Sequence, residues 1–173
     1  MLKSSFSKNL IRLAIFALFA LPVFTSFAAQ VTPKDVVEFY LALPKKYYEP
    51  DRKHRQELVA EDSGRIIAKD IKNGYLAISG DAGDPGVVVA IFKKADGQYI
   101  VGLNVYDELS ERFYFLQHGV VWRDVSKEIV PEYSTRLKYE LPRYGTTVKV
   151  TNSAGKKLYD LEWKQGRFVK KTG

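Results

Sequence analysis

The sequence contains few side chains that could take part in chemistry, and the clearest group of them is acidic. Asp107, Glu108 and Glu111 occur within the segment 106–112, which reads YDELSER. Two carboxylates that face each other across a cleft, one with a raised pKa, can hydrolyse a glycosidic bond. Because nothing in the surrounding sequence would desolvate these acids, the segment is more typical of an exposed turn. A hydrolase that uses the acids of 106–112 is therefore an alternative hypothesis.

A second acidic loop and the two histidines are the remaining candidates for metal or acid–base chemistry. Asp81 and Asp84 lie in the segment 80–86, GDAGDPG, whose composition is typical of a solvated hairpin loop. This loop lacks the alternating ligands and closing glutamate of a calcium loop. His54 and His118 lie far apart in the sequence and do not have the helical spacing of paired zinc ligands. The sequence therefore predicts no metal site.

Common catalytic motifs are missing from the sequence. It contains no cysteine, no G-x-S-x-G nucleophile elbow, no phosphate-binding loop and no dinucleotide fingerprint. We therefore assign no catalytic residue, expect no cofactor, and expect a protein that is not an enzyme.

The N-terminal segment 1–28 has the pattern of a secretory signal peptide. A basic start is followed by an apolar run over 13–24 and then by the small residues Ser26 and Ala28. The apolar run is shorter than the about 20 residues of a spanning helix, which argues against a membrane anchor. We therefore expect cleavage after Ala28, a periplasmic or secreted protein without a stable membrane anchor, and a single domain over 29–173.

Positive charge is concentrated near the C-terminus. The net charge of the sequence is +7, and segment 143–173 contains eight basic residues against two acidic ones. Such a surface attracts anionic partners through its long-range field. The sequence predicts an anionic envelope polymer or an acidic protein as the partner, with solubility and edge protection as the competing explanation. Nucleic acid is not expected. The predicted binding residues are Lys156, Lys157, Lys164, Arg167 and Lys170.

The segment 45–55, KKYYEPDRKHR, allows two interpretations. Apolar residues recur at helical spacing before it, Pro44 directly before it stops that helix, and Pro50 within it can start another. The simpler interpretation is a joint between two helices, in which the tyrosines cover the core and Asp51 pairs with Arg55 at the surface. An anion-binding site is the alternative. The first helix should begin at Thr32, a hydroxyl cap followed by proline.

After Gly64 the pattern changes to short β-rich runs that are separated by dipeptides ending in glycine, such as Asn73-Gly74. About eight or nine such runs predict an antiparallel meander on which the N-terminal helical pair packs, an α+β fold. The run 87–92 is apolar on both faces and should form a covered central strand. The strand 112–117 is either buried or lines a pocket. Because a sheet of this size can curl or split, a closed β-barrel or a sandwich with N-terminal helices is the structural alternative.

The residue pattern of the last three strands predicts how these strands pair. A turn at Ala154-Gly155 places apolar residues opposite apolar ones, and acids opposite bases, whereas a slip of one residue would destroy both matches. A turn at Gln165-Gly166 places Trp163 opposite Phe168 on the inner face. Lys170 then lies beside Leu161 on the apolar face, where an inward lysine guards a sheet edge. The predicted pairs are Val148–Leu161, Lys149–Asp160, Trp163–Phe168 and Lys164–Arg167.

The segments NGYLAIS, LPRYGTTVKV and LYDLEWKQGRFV resemble segments of a group of small exported bacterial proteins of uncharacterised function. The resemblance covers most of the chain after the signal peptide. It implies export and assigns no role to any residue.

These observations favour an exported, soluble, non-catalytic binding protein of the cell envelope. The first alternative is a carrier that holds a small apolar ligand between the helices and a curved sheet, which would require an aromatic-lined pocket of several hundred cubic ångströms. The second alternative is the hydrolase described above. A filled core with basic and aromatic surfaces would favour the binding protein.

Overall fold

A short helix, α1 (Val36–Ala42), opens the part of the chain that the computed structural model describes, which is residues 33–81 and 83–171. The predicted signal peptide and its cleavage site lie outside these residues. Asp35 caps α1, because its carboxylate accepts hydrogen bonds from the backbone N–H groups of Val37 and Glu38 at 2.9 and 3.0 Å. The predicted start at Thr32 is therefore three residues too early.

The segment 45–55 is a joint between α1 and a second helix, α2 (Arg52–Leu58), as predicted. Tyr47 and Tyr48 are buried in the joint. The predicted surface pair of Asp51 and Arg55 is wrong, because Arg55 is only 2% exposed and points into the core. Asp51 instead caps α2 by accepting a hydrogen bond from the backbone of His54 at 3.0 Å.

Arg55 satisfies the carbonyl groups at the end of α1. Its guanidinium donates to the backbone oxygens of Leu43 and Tyr48 at 2.5 and 2.7 Å, and more weakly to those of Tyr40 and Leu41. The last carbonyls of a helix have no partner within it and carry partial negative charge, so they are suitable acceptors for a buried cation. Arg55 therefore caps the C-terminal end of α1 from inside the core, instead of forming the predicted ion pair with Asp51 at the surface.

Ten strands follow a 3-10 helix (Glu61–Ser63), and all their pairings are antiparallel. Sheet 1 has the order β1-β2-β3-β4-β5-β6 and sheet 2 the order β10-β9-β8-β7. The strands of sheet 1 are β1 (Ile66–Asp70), β2 (Tyr75–Ile78), β3 (Gly86–Lys93), β4 (Tyr99–Tyr106), β5 (Glu111–Gln117) and β6 (Arg123–Asp124). After a third helix, α3 (Ser126–Ile129), sheet 2 contains β7 (Lys138–Glu140), β8 (Thr147–Thr151), β9 (Lys157–Lys164) and β10 (Arg167–Lys170).

The predicted mixture of helices and antiparallel strands is confirmed, but the prediction of one continuous meander is wrong. The strands divide into two sheets, and neither closes on itself, so the closed β-barrel is also wrong. The other form of the structural alternative, a sandwich, agrees with two sheets that share one hydrophobic cluster. The division falls at α3, where the chain leaves the edge of sheet 1 and crosses to sheet 2. A single open sheet of ten strands would expose one large apolar face, which the second sheet covers.

Sheet 1 is covered on both faces. Side chains of α1 and α2 pack against one face, where Val87 and Val89 of β3 are fully buried. Ala90 and Phe92 of the same strand belong to a second hydrophobic cluster with residues of sheet 2. The prediction of a covered central strand is therefore confirmed. Strand β5 is covered in the same way, with Phe113, Phe115 and Leu116 buried, so its aromatic residues belong to the core.

The predicted register of sheet 2 is confirmed. Val148 pairs with Leu161, Lys149 with Asp160, and Trp163 with Phe168. One detail differs, because a register shift between Val150 and Thr151 places Thr151 opposite Lys157. The irregularity lies next to the turn and leaves the rest of the hairpin in the predicted alignment.

Candidate functional site

The five predicted binding residues do not form one surface. Lys156, Lys157, Lys164, Arg167 and Lys170 are all exposed. Lys156 and Lys157 lie at the start of β9, whereas Lys164 and Arg167 flank the turn at its far end and pair across it, as predicted. Seven residues of extended chain separate the two ends by about 23 Å. The predicted basic surface is therefore divided between the two ends of strand β9.

Carboxylates neutralise part of this basic charge. Lys157 pairs with Asp160 at 2.8 Å, Lys164 with Glu162 at 2.9 Å, and Lys170 with Glu132 at 2.6 Å. The Lys170 ammonium also lies 4.4 Å from the centre of the Tyr159 ring, an arrangement that favours a cation. Lys156 and Arg167 have no ion-pair partner within the described residues.

A groove runs around the loop between β4 and β5. Three cavities, of about 740, 710 and 460 Å³, meet at this loop. The first two share the wall Tyr106–Leu109, and the second and third share Glu111, Phe113 and Thr135. The cavities therefore adjoin one another around the β4–β5 hairpin, between the 80–85 loop and α3. We call the three cavities together the groove.

The rim of the groove is acidic. Eight carboxylate side chains line it, against four basic ones. Glu49 and Glu108 have no ion-pair or hydrogen-bond partner within residues 33–81 and 83–171, and both are exposed. Four of the eight carboxylates pair with basic groups, Asp81 with Arg65, Asp84 with His54, Glu111 with Lys138 and Glu128 with Arg123, so part of the acidic charge in the groove is neutralised. Its carboxylates are Glu49, Asp81, Asp84, Asp107, Glu108, Glu111, Asp124 and Glu128.

Apolar and aromatic surface lies between these charges. Leu109 is 97% exposed at the tip of the hairpin loop. Phe113 and Tyr133 form part of the wall, and the Tyr133 hydroxyl donates a 2.5 Å hydrogen bond to the backbone oxygen of Phe113. An exposed leucine beside fixed aromatic rings can contact the apolar portion of a ligand.

Two of the three acids of 106–112, Asp107 and Glu111, are held by hydrogen bonds or an ion pair. Asp107 closes the hairpin turn, because it accepts hydrogen bonds from the Ser110 hydroxyl and from the backbone N–H groups of Leu109 and Ser110. These bonds, the Ser110 hydroxyl first, lower the pKa of Asp107 below its usual range. Glu111 accepts from the Asn104 amide and pairs with Lys138 at 2.6 Å. A glycosidase requires an acid with a raised pKa, and Asp107 has the opposite shift.

Three contacts hold the 80–86 loop, which forms one end of the groove. The Asp81 carboxylate pairs with Arg65. His54 Nε2 lies 2.9 Å from a carboxylate oxygen of Asp84, and the Tyr48 hydroxyl donates to the backbone oxygen of Pro85 at 3.2 Å. Asp81, Asp84 and Pro85 are thereby joined to the start of β1, to α2 and to the helical joint.

The two histidines are expected to change stability with pH in opposite directions. Hydrogen bonds to Asp84 and then to Glu57 raise the pKa of His54 above 6.5, whereas burial lowers the pKa of His118 below 6.5. His54 therefore contributes stability that is complete below pH 6.5 and is lost as the pH rises through its folded pKa. His118 destabilises the fold as the pH falls from 6.5 towards its folded pKa.

Single variants separate these two contributions. In His118→Gln, the free energy of unfolding should fall as the pH rises from neutral to about 8. In His54→Gln, it should fall as the pH decreases to about 5. The carboxylates with lowered pKa values, such as Asp107, titrate in a more acidic range. Urea unfolding across this pH range measures both slopes, and slopes of the same sign in the two variants would contradict the prediction.

The sequence predictions include no contact between the 80–86 loop and the 107–110 loop of the groove. The 80–86 loop follows β2 and the 107–110 loop follows β4, and in an antiparallel meander the loops after alternate strands lie at the same end of the sheet. The order of the strands was therefore sufficient to predict that these two acidic loops lie at the same end of the sheet. The contributions of Glu49 and Thr135 depend on how the helical joint and sheet 2 pack, which no local pattern specifies.

No group of three potential metal-ligating side chains occurs among the described residues. Within the same residues, no helix has the length and apolar character needed to cross a membrane. No family model, curated protein or solved structure matches this chain.

Proposed function

We propose that this chain is an exported, non-catalytic binding protein that holds an extended, basic polypeptide segment in the groove around the β4–β5 loop. The observation that carries the proposal is the meeting of three cavities at one hairpin, with twice as many acidic as basic side chains around them. A ligand that follows the groove must be long and must pass around a protruding loop. An extended chain with cationic side chains meets both requirements.

The other candidate functions receive less support from the geometry. Buried side chains of α1, α2 and sheet 1, including Phe39, Tyr40 and Leu76, fill the interface in which an apolar ligand would be carried. The turn that Asp107 closes does not supply the raised pKa that a hydrolase would need. The C-terminal basic residues, predicted as a site for an anionic polymer or acidic protein, are divided between the two ends of β9.

Binding of a labelled oligolysine peptide, followed by fluorescence anisotropy, tests the proposal. The protein should bind this peptide and not an oligoglutamate peptide of the same length. Binding should weaken as salt is added, because attraction between exposed charges is screened over about 10 Å at 0.1 M. Replacing Glu49 and Glu108 together by glutamine should weaken binding about fivefold, since each exposed charge pair contributes about 0.2–1 kcal/mol.

A control variant with the same change of charge separates the groove from the general field of the protein. Glu61→Gln combined with Asp62→Asn removes two exposed carboxylates from the 3-10 helix, outside the groove. This variant should bind the peptide almost as the parent does. An equal loss in both double variants, or tighter binding of oligoglutamate, would overturn the proposal.

A further inference from the structure

Three neighbouring turns lie at the end of the molecule opposite the groove. They are the β3–β4 turn, the β5–β6 turn and the β9–β10 turn. The indole N–H of Trp163 donates to the backbone oxygen of Lys93 at 2.9 Å, and the Gln117 amide donates to Gln98 at 2.6 Å. These contacts place the three turns side by side. Strand β4 runs from this end to the groove over eight residues, so the two surfaces are about 24 Å apart.

Two adjacent valines project from the β5–β6 turn. Val120 is 88% exposed and Val121 is 76% exposed. The base of the turn is fixed, because Trp122 is largely buried and packs edge-on against His118 and Phe39, with ring centroids 4.9 and 6.3 Å apart. The valines therefore form a small apolar tip on an ordered support.

Basic side chains lie in or next to all three turns, at the same end of the molecule as this tip. Lys94, Arg123 and Lys164 are paired with carboxylates at about 3 Å. Lys93 and Arg167 are exposed and have no ion-pair partner in the part of the chain that the structure describes. Like charges opposite each other on a strand pair, as Lys164 and Arg167 are, do not stabilise a sheet. We call the set Lys93, Lys94, Arg123, Lys164 and Arg167 the basic end.

We propose that the basic end docks on the surface of an anionic lipid bilayer. Peripheral attachment requires apolar side chains that enter the interface and cations that attract anionic headgroups, and the two valines and the basic end supply both. A dissolved anionic polymer would use the cations and leave the valines in water. The docking surface is separate from the groove, so the protein would bind its peptide on the side that faces away from the membrane.

Co-sedimentation of the protein with lipid vesicles tests this proposal. The protein should bind vesicles that contain phosphatidylglycerol and should bind phosphatidylcholine vesicles weakly. Replacing Lys164 and Arg167 together by glutamine should reduce partitioning about 25-fold, since each basic residue near an anionic surface contributes about fivefold. Val120→Ser combined with Val121→Ser should reduce it about tenfold.

Matched controls come from the opposite end of the molecule. Lys156→Gln combined with Lys157→Gln makes the same change of charge at the other end of β9, and Leu109→Ser combined with Leu158→Ser removes two exposed leucines away from the basic end. Both controls should partition as the parent does. Since all these side chains are exposed, melting temperatures should remain close to that of the parent.

Three results would overturn the proposal. The first is equal binding to anionic and neutral vesicles. The second is an equal loss in the basic-end variant and its Lys156–Lys157 control, which would show a diffuse charge effect. The third is full vesicle binding by the double valine variant together with retention on soluble polyphosphate that requires Lys164 and Arg167, which would identify an anionic polymer as the partner.

Discussion

Replacing Arg55 by alanine is expected to lower the free energy of unfolding by about 3 kcal/mol or more. The substitution removes the donors for carbonyl groups of Leu43 and Tyr48, and each buried carbonyl left without a partner costs about 1–3 kcal/mol. It also leaves a cavity where a large side chain was 2% exposed. Because small domains are stable by only about 5–15 kcal/mol, this one change should remove a large share of the total.

Urea unfolding followed by tryptophan fluorescence measures this effect. Arg52→Ala, an exposed position in the same helix, is the control and should change stability by about 0.5 kcal/mol or less. Arg55→Lys should lie between the two, because an ammonium group keeps the charge but cannot spread its donors over several carbonyls. If Arg55→Ala unfolds at the same urea concentration as Arg52→Ala, the internal cap does not stabilise the joint.

The second large effect is expected at Gly102, in the middle of β4. A Cβ atom added at this position would lie 2.8 Å from Leu141 Cδ2 and 3.1 Å from Phe92 Cε2, so sheets 1 and 2 approach each other closely here. Gly102→Val adds two further methyl groups to that contact. Overpacking of this kind costs about 1–3 kcal/mol, because the side chains of Leu141 and Phe92 must move aside to admit the valine.

A double variant distinguishes steric conflict from a change in strand propensity. Leu141→Ala alone should destabilise the protein, because it removes part of the core between the sheets. In the Gly102→Val background the same change makes room for the valine, so the double variant should be more stable than the sum of the two single effects predicts. Additive effects would show that Leu141 is not the residue that limits the space.

Sequence patterns predicted the features that depend on neighbouring residues. The register of the last three strands followed from matching apolar faces and complementary charges, and the observed pairing of Val148 with Leu161 confirms it. The covered strand β3 followed from its unbroken apolar run. In both cases the information lies within a few residues of the element, where side-chain alternation alone fixes the arrangement.

Features that depend on packing between distant segments were not predictable. Arg55 lies in a fully polar run, and only the position of the carbonyls at the end of α1 explains why its side chain turns inward. The division into two sheets depends on the path of the chain through α3. The C-terminal basic residues were predicted to form one surface because they are close together in the sequence. In the structure, the extended strand β9 places Lys157 and Lys164 at its opposite ends.

The order of the two sheets along the chain has a consequence for biosynthesis. Phe168, in the last strand, packs against Phe92 and Phe115 of sheet 1 with ring centroids 5.1 and 4.8 Å apart. All of sheet 1 precedes this residue in the chain, so its aromatic face lacks this cover until β10 has been made. Such a surface is recognised by chaperones and proteases. A chain that is cut short before β10 would therefore expose an aromatic face, and cellular proteolysis would remove it.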